Sequence, residues 1–320
     1  MALAIAGRAI TKRGLSNNPN RGGWWLAARA KEVLTSEEPL RPEASAVRRA
    51  FDRAAQSYDD AAVLQAEVGE RLIERLTLLR EPPRRILDVG AGTGRTTAAL
   101  MRRYRQARVT ALDVAPGMLS RARRRGPWWR GLPCIAGDAV RLPVADDSFD
   151  TIFSNLTLQW IPDLDAVFRE FQRVLRPGGV LMFSSFGPDT LSELRQAWAA
   201  VDDARHVHRF IDMHDVGDVM AHAKLADPVM DMEYFTLTYD TPRSLMRDLK
   251  AIGAQNAMAG RERGLTGRGR LRAMERAYEA QRDGEGRLPA TWEVIYGHAW
   301  GTDAVAQHTD EDGAIYFDGD

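Results

Sequence analysis

Between residues 85 and 186 the chain alternates short apolar runs with helix-like stretches, and no other feature restricts its fold as strongly. The spacing predicts strand 85–89, helix 93–104, strand 108–113, helix 116–125, strands 132–137 and 148–155, helix 164–175 and strand 180–186. Short strands separated by helices imply parallel βαβ crossovers, and therefore a doubly wound, mostly parallel α/β sheet. The strands carry little polar alternation, as expected when both faces of a sheet are covered. RPGG at 176–179 reads as a helix stop followed by a tight turn, since glycine tolerates positive φ.

The flanks have a different rhythm. Val63, Leu64, Val68, Leu72, Leu76 and Leu79 recur at helical spacing, which predicts one or two amphipathic helices ending at EPP, residues 81–83. Beyond Phe186, GPDTLSELRQAWAAV reads as a helix capped by Asp189 or Thr190. Residues 228–239 and 290–300 read as strands, and the helical stretch 242–282 between them is broken by GRERGLTGRGR. The arrangement suggests a sheet-edge pair with a lobe inserted. We expect one domain over 46–302, made of a helical lid (46–80), a core (85–186) and a lobe (187–302), followed by a loose acidic tail over 303–320.

Residues 1–45 hold Arg8, Lys12, Arg13 and Arg21, with no acid before Glu32, a composition superficially like a transit peptide. SNNPNRGG is rich in turn residues, so the segment is read as a disordered extension. Net charge is formally zero, so no global field recruits nucleic acid or a membrane. Cys134 is the only cysteine, which excludes an internal disulfide framework and points to a reducing compartment, the cytoplasm. No stretch reaches the roughly 18 to 20 apolar residues of a membrane span. A soluble monomer is expected.

The chemistry begins at ILDVGAGTGRTTAAL, residues 86–100, where Gly90, Gly92 and Gly94 form a turn between a strand and a helix. Such glycines let backbone approach a nucleotide closely, with helix N-terminal amides facing it. Asp113 ends the next strand about 20 residues later, where an acid binds ribose hydroxyls. A dehydrogenase would use both features. Here the dinucleotide spacing fails, because Gly94 is followed by Arg95 where that motif requires glycine, and Asp88 stands in a strand position normally apolar. Asp138, ending the third predicted strand, adds a carboxylate able to take the exocyclic amine of adenine.

The ordered series of loop glycines, Asp113, Asp138 and Ser148-Phe149-Asp150 resembles the class I S-adenosylmethionine-dependent methyltransferases across residues 85–186. The resemblance implies a seven-stranded Rossmann-like sheet with S-adenosylmethionine as co-substrate. Asp88, Gly90, Ala91, Gly92 and Gly94 would form its cradle, Asp113 would bind the ribose diol, Val114 and Met118 would also bind the co-substrate, and Asp138 with Ala139 would frame adenine. Asn155 and Leu156 lie at the carboxyl edge where such sheets bind ligands. Asp88 and Asn155 each have a plainer reading as loop-stabilising hydrogen bonders.

FDRAAQSYD (51–59), SNLTLQWIPDLDAVFREFQRVLRPGG (154–179), FGPDTLSELR (186–195), HRFIDMHDVGDVM (208–220), GRERGLTGR (260–268) and LPATWEVIYGHAWG (288–301) resemble the malonyl-acyl-carrier-protein O-methyltransferases of biotin synthesis, over roughly residues 47–302. That resemblance implies methyl transfer to the free carboxylate of a malonyl thioester, with malonyl-acyl carrier protein as partner. A carboxylate is already anionic at neutral pH, so no general base is expected. Arg209 and Arg247 are candidates to hold the acceptor carboxylate, and Tyr58 to close over the site from the lid. His206, His208, His214 and His222 form no recognised ligand pattern, and no metal is expected. A complex I assembly factor acting on arginine, and a small-molecule methyltransferase of quinone synthesis, are the alternatives.

Overall fold

A computed structural model describes residues 42–129, 131–254 and 267–303, and beyond them the strands Leu3–Ile5, Arg8–Arg13, Gln307–Thr309 and Ile315–Phe317. The core strands, in chain order, are β1 (Arg85–Val89), β2 (Arg108–Asp113), β3 (Cys134–Ala136), β4 (Phe149–Ser154), β5 (Leu175–Phe186), β6 (Ala226–Tyr239) and β7 (Leu288–Trp300). They lie side by side as β3-β2-β1-β4-β5-β7-β6. The first five are parallel, and β7 runs antiparallel to both β5 and β6. Arg8–Arg13 adds to the outer edge of β6, and Leu3–Ile5 to Arg8–Arg13. Of the segment read as a disordered extension, residues 14–41 lie outside the described residues.

Alternation along the strands divides the interior into two layers. Ile86, Val109, Ala111, Phe153 and Met182 face a core closed by helices α3 (Val63–Arg75), α4 (Arg95–Arg103), α5 (Pro116–Arg123), α7 (Ser192–Ala199) and α10 (Arg268–Glu279). Leu87, Leu112, Ile152, Leu181 and Phe183 face the other layer, closed by α6 (Leu164–Val174) and α8 (Met213–His222). Every residue of β4 is buried, which accounts for its lack of polar alternation. β6 alternates only towards its end, where Phe235, Leu237 and Tyr239 are its buried residues.

Three local readings are corrected. The lid has three helical pieces, α1 (Ala44–Ala54), α2 (Tyr58–Ala61) and α3, because Ala62 leaves helical geometry at ψ 49°. Neither Asp189 nor Thr190 caps α7. Thr190 Oγ1 exchanges hydrogen bonds with the Glu293 backbone, and Asp189 accepts from the Tyr234 hydroxyl, so the helix starts only at Ser192. RPGG does not separate helix from strand: β5 runs through it, Gly178 at φ 71° accommodating a register shift against β4. The lobe is completed by α9 (Pro242–Ala251), and most of GRERGLTGR lies outside the described residues.

Gly297 in β7 shows how tightly the sheet is covered. A Cβ there would stand 2.2 Å from Phe183 Cζ. Gly297→Ala should therefore destabilise the protein by about 1 to 3 kcal/mol through overpacking, and Phe183→Leu should recover part of that loss in the double variant. Urea unfolding of the four proteins of this cycle checks it; strictly additive losses would refute the contact.

Candidate functional site

The turn after β1 is built from three glycines with three different duties. All have positive φ: 74° at Gly90, 55° at Gly92 and 79° at Gly94. A Cβ on Gly90 would meet Thr157 Oγ1 at 2.0 Å, and one on Gly94 would meet Ala122 at 2.8 Å, so these two let the turn pack against its own protein. Gly92 has nothing within 4 Å of its missing Cβ and faces open space. The turn is fixed from below by the amides of Gly90 and Ala91, which donate to the Leu112 carbonyl at 2.8 and 3.0 Å.

Two buried carboxylates support this turn. Asp113 Oδ2 accepts from the Gly92 amide and Oδ1 from the Ala115 amide, each at 2.8 Å. The Val114 amide also pulls on this carboxylate, and since two carboxylate oxygens offer about four acceptor sites, it can hold the loop and still accept from a diol. Burial pushes its pKa up to about 6 against the opposing pull of those amides. Asp88 lies deeper, 1 % exposed, and accepts from Thr97 Oγ1 at 2.5 Å. Its pKa rises to about 7, chiefly because burial penalises the charge.

The lid closes over the turn. Tyr58 lines the cleft, half buried, and burial together with the Asp113 charge keeps its phenol protonated. Asp59, absent from the sequence-derived candidates, anchors the lid: Oδ1 accepts from Thr93 Oγ1 at 2.6 Å and Oδ2 from Arg125 Nη2 at 2.5 Å. Arg125 Nε also donates to the Thr93 carbonyl at 2.9 Å, and Asp52 accepts from the Gly117 amide at 2.8 Å. Phe51, Ala55 and Tyr58 complete the contact by packing on Ala115 and Met118. The cleft left beneath the lid is lined by Tyr58, Gln65, Asp88, Gly90, Gly92 and Asn155. A wider groove lies at the opposite sheet edge, but its one buried carboxylate, Asp150, is occupied by the amides of Arg84 and Arg85. The cleft over the turn is thus the candidate site.

The remaining candidates divide. Val114 is half buried beside Asp113, and exposed Asp138 lies just beyond the end of β3, with Ala139 buried next to it. Asp138 Oδ1 holds the Val140 amide at 3.1 Å. Asn155 lines the cleft, yet both ends of its amide are engaged: Nδ2 donates to the Gln65 carbonyl at 2.9 Å and Oδ1 accepts from Ser184 Oγ at 2.8 Å. These bonds brace α3 against the sheet. Leu156 follows in the left-handed region at φ 48°, a strained conformation at the carboxyl edge of β4. Arg209 and Arg247 are both exposed, and neither lines the cleft.

The histidines are dispersed. His206 stacks on Trp198 at 3.6 Å and pairs with Asp202, His214 pairs with its neighbour Asp212, and His208 is buried against the Gln159 carbonyl. Among the described residues, no group of three or more His, Cys, Asp or Glu side chains could hold a metal ion. Among them also, no helix is long and apolar enough to cross a membrane.

A family model described as a methyltransferase domain matches residues 87–183. A malonyl-[acyl-carrier protein] O-methyltransferase of Halorhodospira halophila is 56% identical, covering 85% of this chain and 92% of its own length. One of Laribacter hongkongensis is 50% identical, covering 86% and 95%. Among solved structures, the YcgJ protein of Bacillus subtilis shares the fold at 16% identity and a TM-score of 0.52, over 72% of this chain and 97% of its own. A putative methyltransferase of Bacillus halodurans does so at 16% identity and 0.51, over 73% and 99%.

The raised pKa of Asp88 has a measurable consequence. The folded protein keeps this proton up to about pH 7, whereas the unfolded chain releases it near 4. The stabilisation from retaining it is complete below about pH 4 and is lost as the pH climbs to about 7, by up to about 1.4 kcal/mol per pH unit. Asp88→Asn is neutral throughout, so its urea midpoint should fall less over that window than that of the parent protein. Equal slopes for the two proteins would show that Asp88 ionises normally.

Proposed function

This chain belongs to the malonyl-[acyl-carrier protein] O-methyltransferase family, and from that premise we propose that it methylates the free carboxylate of a malonyl thioester on acyl carrier protein, with S-adenosylmethionine as donor, in biotin synthesis. The observation that carries the reading is the extent of the similarity, 56% over 85% of the chain, which takes in lid and lobe as well as the core. Relatives at 45–56% identity bear the same acceptor in their names, which does not favour an assembly factor acting on arginine or a quinone-pathway enzyme. The cytoplasm is the compartment in which we place the reaction.

The residues of the cleft fit such a donor. Bound S-adenosylmethionine supplies an electrophilic methyl group on a positively charged sulfur. Gly92 leaves the turn open for a ligand, Asp113 can still accept from a ribose diol, and Asp138 with Ala139 stands just beyond the end of β3 for adenine. The carboxylates of Asp88 and Asp113 sit in a low-dielectric setting where a nearby cation favours their ionised forms, lowering the raised pKa values once the site is charged. The acceptor carboxylate is anionic at neutral pH and brings its own nucleophile, so the protein's work is alignment and exclusion of water. Tyr58 and Phe51, held down through Asp59, provide the cover.

Incubation with malonyl-carrier protein and S-adenosylmethionine should add one methyl group by intact mass, with none added to carrier protein bearing an acetyl group. Asp113→Ala should weaken binding of the demethylated product, S-adenosylhomocysteine, by about 1.5 to 3 kcal/mol in calorimetry. Unmodified malonyl-carrier protein would overturn the acceptor assignment, and unchanged affinity in Asp113→Ala would overturn the donor site.

A further inference from the structure

The carboxyl edge of β4 and β5 holds a second buried polar feature beside the cleft. His208 is 7 % exposed, and its Nε2 lies 3.0 Å from the Gln159 carbonyl oxygen. A carbonyl only accepts, so Nε2 carries the proton. Burial lowers the ring's pKa to about 4, which leaves it neutral near pH 7 with a bare lone pair on Nδ1. Among the described residues that Nδ1 has no hydrogen-bond partner, and neither has the buried Nε1–H of Trp292. An orphaned acceptor and an orphaned donor in one region each carry a desolvation cost that a ligand can relieve.

Both groups belong to one row of rings. Phe51 meets Trp160 at 5.4 Å, Trp160 meets His208 at 5.4 Å, His208 meets Phe210 at 5.3 Å, Phe210 meets Phe186 at 5.6 Å and Phe186 meets Trp292 at 5.0 Å. The row starts at the lid, where Phe51 lies 6.5 Å from cleft-lining Tyr58, and runs across the ends of β5 and β7. Phe51 and Trp160 therefore stand between His208 and the cleft wall. The reacting carboxylate must reach the methyl group inside the cleft, and a carboxylate facing the Nδ1 lone pair would be repelled. An uncharged chain with apolar links, N–H donors and C=O acceptors suits the row.

We propose that the ring row from Trp160 to Trp292 holds the amide-bearing arm of the thioester acceptor, His208 Nδ1 accepting an arm N–H and Trp292 Nε1 donating to an arm carbonyl. The pantetheine arm of carrier protein and of coenzyme A has this chemistry, two secondary amides joined by methylenes. α1 contributes Phe51, which covers the Trp160 end of the row. The inference rests on the thioester reading above.

Two measurements on the full chain separate the subsite from that reading. Pantetheine alone, titrated by ligand-observed NMR with S-adenosylhomocysteine present, should bind the parent protein, and His208→Phe should weaken binding about fivefold, the worth of one net hydrogen bond. In kinetics, His208→Phe should raise KM for the malonyl thioester of pantetheine by a similar factor while leaving kcat, and KM for the malonyl thioester of an amide-free alkyl thiol, unchanged. His208→Asn keeps an acceptor atom and should restore most of the affinity, which distinguishes a lost lone pair from damaged folding. Pantetheine binding that is absent from the parent protein, equal in His208→Phe, or as weak in His208→Asn as in His208→Phe overturns the subsite. Pantetheine bound through His208 with malonyl thioesters left unmethylated upholds the subsite and overturns the thioester reaction.

Discussion

The Asp113 carboxylate joins the parts on which the site depends. One oxygen holds the Gly92 amide of the turn after β1, the other the Ala115 amide at the start of α5. The ends of two neighbouring parallel strands are thereby held in one geometry by a charge that burial disfavours. A carboxylate pays less for burial when amides surround it, and these amides are available only because Gly90, Gly92 and Gly94 allow the chain to turn back over the strand end. The lid then closes on what this bond arranges, since Met118 and Gly117, on which α1 rests, lie just beyond Ala115.

The core was legible in the sequence because its signals are local. Buried parallel strands read as apolar runs whatever surrounds them, and a strand, glycine turn and helix in succession need no distant information. Asp113 could be found by its position at a strand end. Asp59 could not: its partners Thr93 and Arg125 lie far along the chain, and nothing in FDRAAQSYDD separates it from Asp60, which is exposed. Asp189 and Thr190 misled for the same reason. Both are good cap residues by composition, but strand β7 and Tyr234 compete for their side chains.

Arginine was the least legible residue. With the basic residues almost all arginine, the type carries little information about any one position, and Arg209 and Arg247 prove to be surface residues. Arg125, which does join the lid to the turn, sits in RARRRG, where four arginines look alike until the fold orients them. Histidine posed the opposite difficulty. Four residues that cluster in sequence scatter into a ring stack, a helix-cap partner, a helix end and a buried tautomer fixed by one carbonyl.

The reversed direction of β7 determines where the chain leaves the domain. β7 begins at Leu288 beside Tyr239, passes Phe186 at Val294 on the sheet edge that carries the site, and ends beside Val180. There Gly301 donates to the Gly179 carbonyl at 2.8 Å and accepts from Gly178 at 2.9 Å, which locks the exit to the far edge. A reporter or affinity handle attached after Thr302 would therefore be tethered a full strand length from the cleft. An insertion in the turn preceding β7, by contrast, would arrive at the same edge as Trp292 and the lid.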